Sequence, residues 1–395
     1  MKIVVVPSGF KESLSAEEVG NSISRGINKV NPYHDVTTIP MVDGGEGFVD
    51  TITKLKEGRK VKTQVMGPVG KPIKSFFGVF EENGIKTAVI EMAAIAGLRH
   101  VPQNMRNPLN TTTFGVGETI IKALDNGAER ILIGCGDSGT SDGGVGMAQA
   151  LGIKFLNENG EAVFINGGGE INQIYGVDMS YMNARVHLVD IDVAVNWTNL
   201  LCGQKGVARV YGPQKGASPE NVELLSNNLE HLAKLIKSLK KEDVSLMNGG
   251  GASGGLGAGL YGFLNARLHP RFEIIMKYIE ISDAIQNADL VITAEGCIDF
   301  QTPNGKIPSE VARIAKMHKK PVIAFAGTIG HNAKINYQSG IDAFSSIIPE
   351  PTTLENSILD ADKWLENCSE NALRHITIGI NLGNQMVLQK MLLND

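Results

Sequence analysis

The sequence predicts an α/β protein of two domains, one of them a doubly wound parallel-sheet domain formed by both ends of the chain. A chain of 395 residues is too long for one ordinary hydrophobic core. Short apolar runs alternate with amphipathic helical segments near both termini, whereas the middle changes to a hairpin pattern. We therefore expect residues 1–65 and 286–395 to form the doubly wound domain, and residues 66–285 to form an inserted mixed α/β domain.

The N-terminal segment has the pattern of a βαβ unit. Lys2–Pro7 is a short apolar run rich in valine, typical of a strand buried on both faces. Ser15 and Glu18 form a capping-box signature before a helix that runs to about Val30. A second strand near Val36–Met41 follows, so a right-handed βαβ connection is expected.

The middle of the chain predicts a mixed sheet. Glu81–Gly84 is a polar turn between two apolar runs, which favours an antiparallel hairpin. Ser218 and Pro219 have the residue types of a helix cap and first turn, and they begin a long amphipathic segment. The other elements predicted here are strands at Lys60–Met66, Phe76–Phe80, Thr87–Met92, Arg130–Cys135 and Val186–Asn196, and a helix at Gly117–Asn126.

The last third returns to a parallel α/β rhythm. Three apolar strands are predicted, at Asp289–Thr293, Pro321–Ala326 and Ala343–Ile348. Helices are predicted near Pro308–Lys319 and Thr352–Glu366. Strands separated by helices favour a parallel sheet, shared here with the N-terminal strands.

Composition restricts the class of partner. Lys+Arg total 37 against 42 Asp+Glu, and this mild acidity argues against a nucleic-acid-binding surface. The four cysteines are widely spaced, and no run of 18 apolar residues occurs, so neither a disulfide framework nor a membrane span is predicted. We expect a cytoplasmic protein that acts on a small molecule. The sequence is compatible with a homo-oligomer but does not determine the oligomeric state.

Five segments combine glycine with acids, hydroxyls or lysine near predicted strand ends. Ligands of open parallel sheets bind at the carboxyl ends of the strands, so these segments are expected to share one site for a polyanion and a metal. The segments are Pro7–Ser13, Asp43–Gly47, Gly134–Gly144, Gly249–Gly259 and Ala294–Thr302.

The segment GGGASGGLGAG at Gly249–Gly259 is the richest in glycine, and it leads into an apparent helix at Leu256–Leu264. Backbone N–H groups and a helix N-terminus would suit phosphates. A flexible loop, or small residues that permit tight helix packing, explain the same string. The candidate nucleotide-binding residues are Gly250, Gly251, Ser253, Gly254, Gly255 and Gly257, with Ser138 and Thr140, which could instead cap the following helix.

Familiar nucleotide motifs are weak or missing. G-x-G-x-x-G occurs at Gly257, Gly259 and Gly262, but the glycines fall inside the predicted helix and no clear strand precedes them. The P-loop string G-x-x-x-x-G-K-[ST] and the protein-kinase signature set do not occur in the sequence. If the protein is a kinase, it belongs to neither of those classes.

Acidic and basic side chains in these loops supply candidates for phosphoryl-transfer chemistry. Such chemistry needs a metal held by one or two carboxylates and a group that accepts the attacking hydroxyl's proton. The acidic candidates are Asp43, Glu46, Glu295 and Asp299, although aspartate in a glycine turn often has only a conformational role. Lys11, Lys215 and Lys306 could act as point charges on phosphate, but most exposed lysines are merely solvated.

Taken in order, the motifs resemble those of the bacterial glycerate kinase family nearly end to end. The matching strings are FKESLSAEEV, DGGEG, TAVIEMAA, RNPLNTTTFGVGE, SDGGVGMAQALG, GPQKGAS, GGLGAGL and LVITAEG. The resemblance implies a two-domain α/β fold with the active site in the cleft between domains, Mg²⁺–ATP as donor, and conversion of glycerate to 2-phosphoglycerate.

Within that resemblance, each candidate receives a role. The Gly250–Gly257 loop would hold the triphosphate. Lys11, Asp43, Asp299 and Lys306 would be catalytic, whereas Asp43, Glu46 and Glu295 would hold the metal. Asp43, Glu46 and Asp299 would supply metal binding or base function. Lys11 and Lys306 would stabilise charge on the transferring group.

Several positions depart from the family's usual motifs. Ser8 and Gly9 replace an Asp–Ser pair, Asn196 replaces an aspartate, and Cys297 replaces an arginine. The other departures are Asp137, Gly139, Ser141 and Asn304. Arginine is the natural bidentate partner of a carboxylate, so its loss raises the hypothesis of a changed acceptor, such as a polyol or another hydroxy acid.

Two further interpretations stay open. A non-catalytic protein that binds a nucleotide or metabolite would have the same glycine turns. The other interpretation, a nicotinamide-dependent oxidoreductase, depends only on the weak G-x-G-x-x-G string.

Overall fold

The computed structural model describes residues 1–10 and 12–392. Its strands are, in chain order, β1 (Lys2–Pro7), β2 (Asp35–Thr38), β3 (Arg59–Met66), β4 (Pro72–Glu82), β5 (Ile85–Glu91), β6 (Arg130–Gly134), β7 (Lys154–Leu156), β8 (Ala162–Val163), β9 (Gly176–Asp178), β10 (Asp190–Val195), β11 (Arg267–Pro270), β12 (Leu290–Ile298), β13 (Val322–Ile329) and β14 (Ala343–Ser346).

The α-helices alternate with these strands along most of the chain. They are α1 (Ala16–Val30), α2 (Phe48–Leu55), α3 (Ala93–Ala96), α4 (Phe114–Asp125), α5 (Val145–Ala150), α6 (Val207–Tyr211), α7 (Pro219–Lys240), α8 (Ala252–Leu264), α9 (Arg271–Met276), α10 (Ile281–Gln286), α11 (Ile307–Met317), α12 (Leu354–Leu359) and α13 (Ala361–Leu392). Over residues 1–10 and 12–392, no helix combines the length and apolar character needed to cross a membrane.

The chain divides into two compact units. Met1–Val42 and the chain from Glu280 onward form one, here named the terminal unit, and Asp43–Ile279 form the other, the central unit. The sequence placed the divisions near residues 65 and 285. The first division falls earlier because β3 pairs with β4 along its whole length, and α2 packs on the same hairpin.

The terminal unit contains a five-stranded parallel sheet in the order β14-β13-β12-β1-β2. Numbered within the unit, this is the order 5-4-3-1-2 of a doubly wound fold, with its switch point between β1 and β12. The register pairs Ile3 with Leu290 and Val6 with Thr293. The fold class predicted for the two chain ends is therefore confirmed.

Local sequence explains why these elements form. The β1 side chains from Ile3 to Val6 are all buried, as expected for a strand covered on both faces. The capping box of α1 is present, because Glu18 accepts the Ser15 backbone N–H at 2.8 Å while Ser15 Oγ accepts the Glu18 N–H at 3.3 Å. Helix α1 packs against α13, with Ile23, Ile27 and Leu373 in one core.

The central unit is built on a six-stranded mixed sheet in the order β11-β10-β6-β5-β4-β3. β5, β6, β10 and β11 run parallel. β4 and β5 form the predicted antiparallel hairpin, and β3 also pairs antiparallel with β4. A small antiparallel sheet, β8-β7-β9, lies beside it. Its strands of two or three residues are too short to give a periodic signal in the sequence.

Other differences from the predicted elements have local causes. The strand predicted from Val186 begins only at Asp190, because Ala184–Leu188 form a 3₁₀ turn in which the Asn183 side chain accepts the Arg185 N–H. The helix predicted at Thr352–Glu366 is two helices that break at Asp360, and the second continues to Leu392.

Candidate active site

The switch point of the terminal unit joins two of the predicted loops. Ser8, directly after β1, donates both its backbone N–H and its hydroxyl to the Ala294 carbonyl of β12, each at 2.9 Å. Gly296 lies against the backbone of Phe10. The segments Pro7–Ser13 and Ala294–Thr302 therefore meet at the carboxyl edge of this sheet, where doubly wound folds bind ligands. The predicted catalytic Lys11 lies outside the described residues.

An acidic pair surrounds Lys306 beside that edge. The Lys306 ammonium lies 3.5 Å from Asp299 Oδ1 and 3.9 Å from Glu295 Oε1, and it donates to the Cys297 carbonyl at 3.3 Å. Asp299 is held in its turn by the Gln301 N–H at 2.9 Å. All three charged side chains are partly exposed, so they are reachable from solvent. One cation between two carboxylates can hold a phosphoryl oxygen and a nearby proton acceptor together.

Cys297 occupies the position where the resemblance leads us to expect arginine. Its sulfur lies 4.0 Å from Asp299 Oδ2. Burial, reinforced by the Asp299 charge, raises the pKa of the Cys297 thiol. The thiol is therefore protonated at neutral pH and is a poor nucleophile.

The central unit brings the loop Asp43–Gly47 against the loop that follows β6. Gly44 lies over the Cys135 amide and the Ala194 carbonyl, at the carboxyl ends of β6 and β10. Gly44 has a φ of +86°. A side chain there would strain the turn that brings Asp43 to the sheet edge.

Two aspartates flank Gly45 in this region. A Cβ on Gly45 would clash with the Asp137 carboxylate and would lie 3.1 Å from Asp43 Oδ1. Asp137 accepts the Glu46 N–H at 3.1 Å, and its own φ of +48° is left-handed. That conformation accounts for a glycine at the matching position of the family motif.

Arginines balance the negative charge of this loop. Arg271, directly after β11, lies 2.9 Å from Asp43 Oδ2. Arg99 lies 3.6 Å from Glu46. Asp43 Oδ1 also accepts the Gly45 N–H at 3.2 Å. Neither arginine was predicted from the sequence, because each meets its partner only through the fold.

Glu91 is a buried acid at the carboxyl end of β5. Its side chain accepts the Val49 N–H at 3.1 Å. Burial raises the pKa of Glu91 to about 7, and the backbone hydrogen bond from Val49 only partly opposes that shift. From the sequence we assigned Glu91 to an ordinary strand; the available signal was its place within TAVIEMAA, one of the strings that carry the family resemblance.

The glycine-rich segment that includes the first residues of α8 is buried, and it packs against two other loops. A Cβ on Gly254 would clash with the Thr140 carbonyl, and one on Gly251 would clash with the Leu200 carbonyl. Ser253, Gly254 and Gly255 all have left-handed φ values, so the regular helix begins at Leu256, as predicted. Close packing therefore explains most of these glycines. Gly250 and Gly257 lie in the same buried segment.

Lys215 is the functional candidate that sequence reasoning undervalued. Its ammonium is buried and donates to the Thr140 carbonyl at 2.6 Å and to Ser138 Oγ at 2.9 Å. From the sequence we interpreted Lys215 as one of several lysines that are most often solvated. The signal available was its place within GPQKGAS, one of the strings that carry the family resemblance.

The predicted site residues thus fall into two groups. Asp43, Glu46, Ser138, Thr140 and the Gly250–Gly257 segment belong to loops of the central unit that contact one another in series. Glu295, Asp299 and Lys306 form a second group in the terminal unit. Within the described part of the chain, no three Asp, Glu, His or Cys side chains are close enough to form a metal-binding cluster.

The parallel strands of the two larger sheets carry glycine turns, acids and lysines near their carboxyl ends, and comparison with known proteins assigns this α/β chain to the small-molecule kinases. The glycerate kinase family model matches residues 3–377. The chain therefore belongs to the glycerate kinase family.

Individual relatives match over almost the whole chain. The glycerate kinase of Bacillus subtilis is 42% identical over 388 residues, covering 98% of this chain and all of that protein. The glycerate 2-kinase of Escherichia coli is 41% identical over 380 residues, covering 96% of this chain and 99% of its own. A solved Salmonella typhimurium LT2 structure, assigned as glycerate kinase 2, superposes with a TM-score of 0.81 at 40% identity, covering 97% of this chain and all of that one.

Proposed function

We propose that this protein transfers the γ-phosphoryl group of ATP to glycerate, forming 2-phosphoglycerate and ADP in a Mg²⁺-dependent reaction. The observation that carries the proposal is the match to glycerate kinases over nearly all of both chains, including a relative named glycerate 2-kinase. The acids and lysines gathered at the sheet edges are the side chains that phosphoryl transfer requires.

The central unit is proposed to bind the polyphosphate and the metal. Asp43 and Asp137 both flank Gly45, so a divalent cation there would find two carboxylates. Mg²⁺ in kinases is commonly held by one or two carboxylates together with substrate phosphates, and this donor set fits that rule. The metal would neutralise charge on the phosphates. Glu46 is a further candidate ligand, and Ser138, Thr140 and the Gly250–Gly257 segment are proposed to contact phosphate.

The terminal unit is proposed to supply proton acceptance and positive charge. Asp299, held by the Gln301 N–H, would accept the proton of the attacking glycerate hydroxyl. The glycerate oxygen would then bond to the γ-phosphorus of ATP. The bond between that phosphorus and the bridging oxygen to the β-phosphate would break, and ADP would leave. Lys306 lies 3.5 Å from Asp299 and would stabilise negative charge on the transferring group. Lys11 is proposed for the same role, and Glu295 as a candidate metal ligand.

The direct test measures ADP release from Mg²⁺–ATP with D-glycerate, followed by ³¹P NMR of the product. We expect turnover within the roughly 1–100 s⁻¹ usual for kinases, and a phosphate on the 2-hydroxyl. Absence of glycerate-dependent ADP release would overturn the proposal. Phosphate on the 3-hydroxyl would correct its regiochemistry.

A changed acceptor is the second candidate function, because Cys297 places a neutral thiol where the family motif has arginine. The same assay with uncharged polyols and other hydroxy acids tests it. A polyol whose kcat/KM exceeds that of D-glycerate would favour this alternative. Restored glycerate turnover in Cys297→Arg or Asn196→Asp would assign the change to those positions.

A further inference from the structure

Lys215 is a buried cation whose two hydrogen-bond acceptors are both uncharged. Its side chain is 3% exposed, and its ammonium donates to Thr140 O and Ser138 Oγ. An ammonium has three donors, and removing its charge from water without an anion is costly. Burial accordingly lowers the pKa of Lys215 to about 7, although the charge of Asp142 opposes the shift.

Asp142 does not serve as an ion-pair partner for this lysine. Its carboxylate accepts the Thr113 N–H at 2.7 Å and the Thr113 hydroxyl at 2.8 Å. It also accepts the N–H groups of Gly144 and Gly146, each at 3.2 Å. These bonds fix the loop after β6 and engage both carboxylate oxygens, so Asp142 stabilises the loop that presents Ser138 and Thr140.

Two unpartnered hydroxyls belong to the loop whose Thr140 carbonyl and Ser138 hydroxyl accept the Lys215 ammonium. The side chains of Thr140 and Ser141 are 0% and 1% exposed, and neither hydroxyl oxygen has a hydrogen-bond partner among the described residues. A buried hydroxyl without a partner costs about 1–3 kcal/mol. Two such hydroxyls in one loop indicate that something outside the chain completes their hydrogen bonds.

The left-handed turn Ser253–Gly255, near the start of α8, packs against this loop. The Gly254 carbonyl accepts the Gly143 N–H at 3.1 Å, and a Cβ on Gly254 would lie 2.8 Å from Ser141 Cα. Ser253, the residue before it, is buried beside the Cys135 thiol, a weak hydrogen-bonding group. The turn therefore adds a third hydroxyl to the neighbourhood of the loop.

We propose that Lys215 binds a phosphoryl group in the central unit, together with the hydroxyls of Thr140 and Ser141. One ammonium and two hydroxyls match an anion with several acceptor oxygens. The inference deepens the proposed function and rests on it only for the source of the phosphate, which is either the nucleotide or the phosphorylated product.

The alternative is that Lys215 only braces the loop through the Thr140 carbonyl. If Lys215 only stabilises the loop, removing the Thr140 or Ser141 hydroxyl should leave ligand binding unchanged. If the site binds phosphate, removing a hydroxyl should raise the stability of the free protein and lower its affinity for phosphate. Thr140→Val would remove a buried hydroxyl that costs stability in the free protein, and it would also remove a contact to phosphate.

The test uses inorganic tripolyphosphate as the probe, with titration calorimetry for affinity and thermal unfolding of the free protein for stability. Lys215→Met should weaken binding by roughly 10- to 100-fold. Thr140→Val and Ser141→Ala should each weaken binding several-fold while raising the unfolding temperature. Thr119→Val is the matched control, because its buried hydroxyl already donates to Gly115 O at 2.8 Å; it should lower stability slightly and leave binding unchanged.

The outcomes separate this inference from the proposed function. Affinities for tripolyphosphate and for 2-phosphoglycerate that are both unchanged in Lys215→Met, or both undetectable in the wild type, would overturn the inference even if glycerate is phosphorylated. Lys215-dependent binding in a protein that does not phosphorylate glycerate would support the inference and refute the proposed function. If Lys215→Met does not fold, unchanged binding in both hydroxyl variants overturns the inference. Repeating the titrations with a non-hydrolysable ATP analogue and with 2-phosphoglycerate identifies the source of the phosphate. Of these two ligands, the one that supplies the phosphate should bind more weakly to Lys215→Met, and the other should bind equally well.

Discussion

The guanidinium of Arg271 lies 2.9 Å from the carboxylate of Asp43, although 228 residues separate them in the chain. Asp43 is the first residue of the central unit, and Arg271 is the residue after the edge strand β11. The pair fixes one oxygen of Asp43, while the Gly45 N–H binds the other at 3.2 Å. Arg271 is therefore a candidate positioning residue for a carboxylate proposed to take part in catalysis.

Replacing Arg271 tests that role. We expect Arg271→Met to lower kcat by about 10-fold or more, since misplacing a catalytic group by about 1 Å can cost 100-fold. Arg271→Lys should recover part of the loss, and KM for glycerate should change less than kcat. Arg185→Met is the control, because Arg185 forms a similar 2.8 Å pair with Asp125 on the surface of the same unit. Equal losses in the Arg271 and Arg185 variants would contradict a positioning role.

How much of this site the sequence could predict depends on how far apart in the chain the contacting residues lie. The strands β1 and β12 carry continuous apolar runs, and their loops follow directly, so the switch-point site was predictable from local pattern. The pairing of Arg271 with Asp43 was not, because it depends on strand order in the six-stranded sheet. The pattern of apolar residues does not contain that information.

The glycine-rich segment suggested more function in the sequence than its packing in the structure supports. The string Gly249–Gly259 invited a phosphate-binding interpretation, yet Gly251 and Gly254 lie where any side chain would meet the carbonyls of Leu200 and Thr140. A sequence cannot distinguish a glycine that approaches a ligand from one that approaches another loop. Lys215 was undervalued for a related reason, since its burial follows from those same loop contacts.

Glu91 makes a pH-dependent contribution to stability. Its pKa is about 7 in the folded protein, raised by burial from an ordinary value of 4.5. Below about pH 4.5 the group is protonated in both states and contributes nothing to the pH dependence. Between pH 4.5 and 7 the unfolded chain loses the proton while the folded chain keeps it, so stability falls as pH rises, by about 3 kcal/mol at most.

Glu91→Gln removes this titration while leaving an oxygen for the Val49 N–H. We expect the unfolding temperature of Glu91→Gln, relative to wild type, to rise between pH 5 and pH 8. The size should be several degrees, given about 2–4 °C per kcal/mol for a unit of this length. Glu158→Gln, at an exposed position, is the control and should show no such trend. A pH-independent difference between Glu91→Gln and wild type would refute this assignment.

Lys306 is proposed to stabilise charge on the transferring group, since it lies 3.5 Å from Asp299 and 3.9 Å from Glu295. Lys306→Met should lower kcat by about 100-fold or more, as expected when a preorganised charge near the developing charge is removed. The control is Lys316→Met in α11, the helix that begins directly after Lys306, because Lys316 pairs with Asp342 on the surface. Retained kcat in Lys306→Met, with normal folding by circular dichroism, would exclude this role.

Ser253 combines a strained backbone with a buried hydroxyl. Its φ of +52° is left-handed, a conformation that costs a residue with a side chain about 1 kcal/mol or more relative to glycine. Ser253→Gly should therefore stabilise the free protein by about 1 kcal/mol and, because the hydroxyl is proposed to contact phosphate, weaken ATP binding. Lys241→Gly relieves the same kind of strain at the exposed end of α7, where φ is +62°.

The comparison separates strain kept for function from strain that is incidental. Both glycine variants should raise the unfolding temperature, but only Ser253→Gly should raise KM for ATP, by several-fold. Chemical denaturation and steady-state kinetics measure the two effects independently. If Ser253→Gly gains stability and keeps the wild-type KM, the hydroxyl has no part in nucleotide binding, and the phosphate contacts must come from the Lys215 side of the loop.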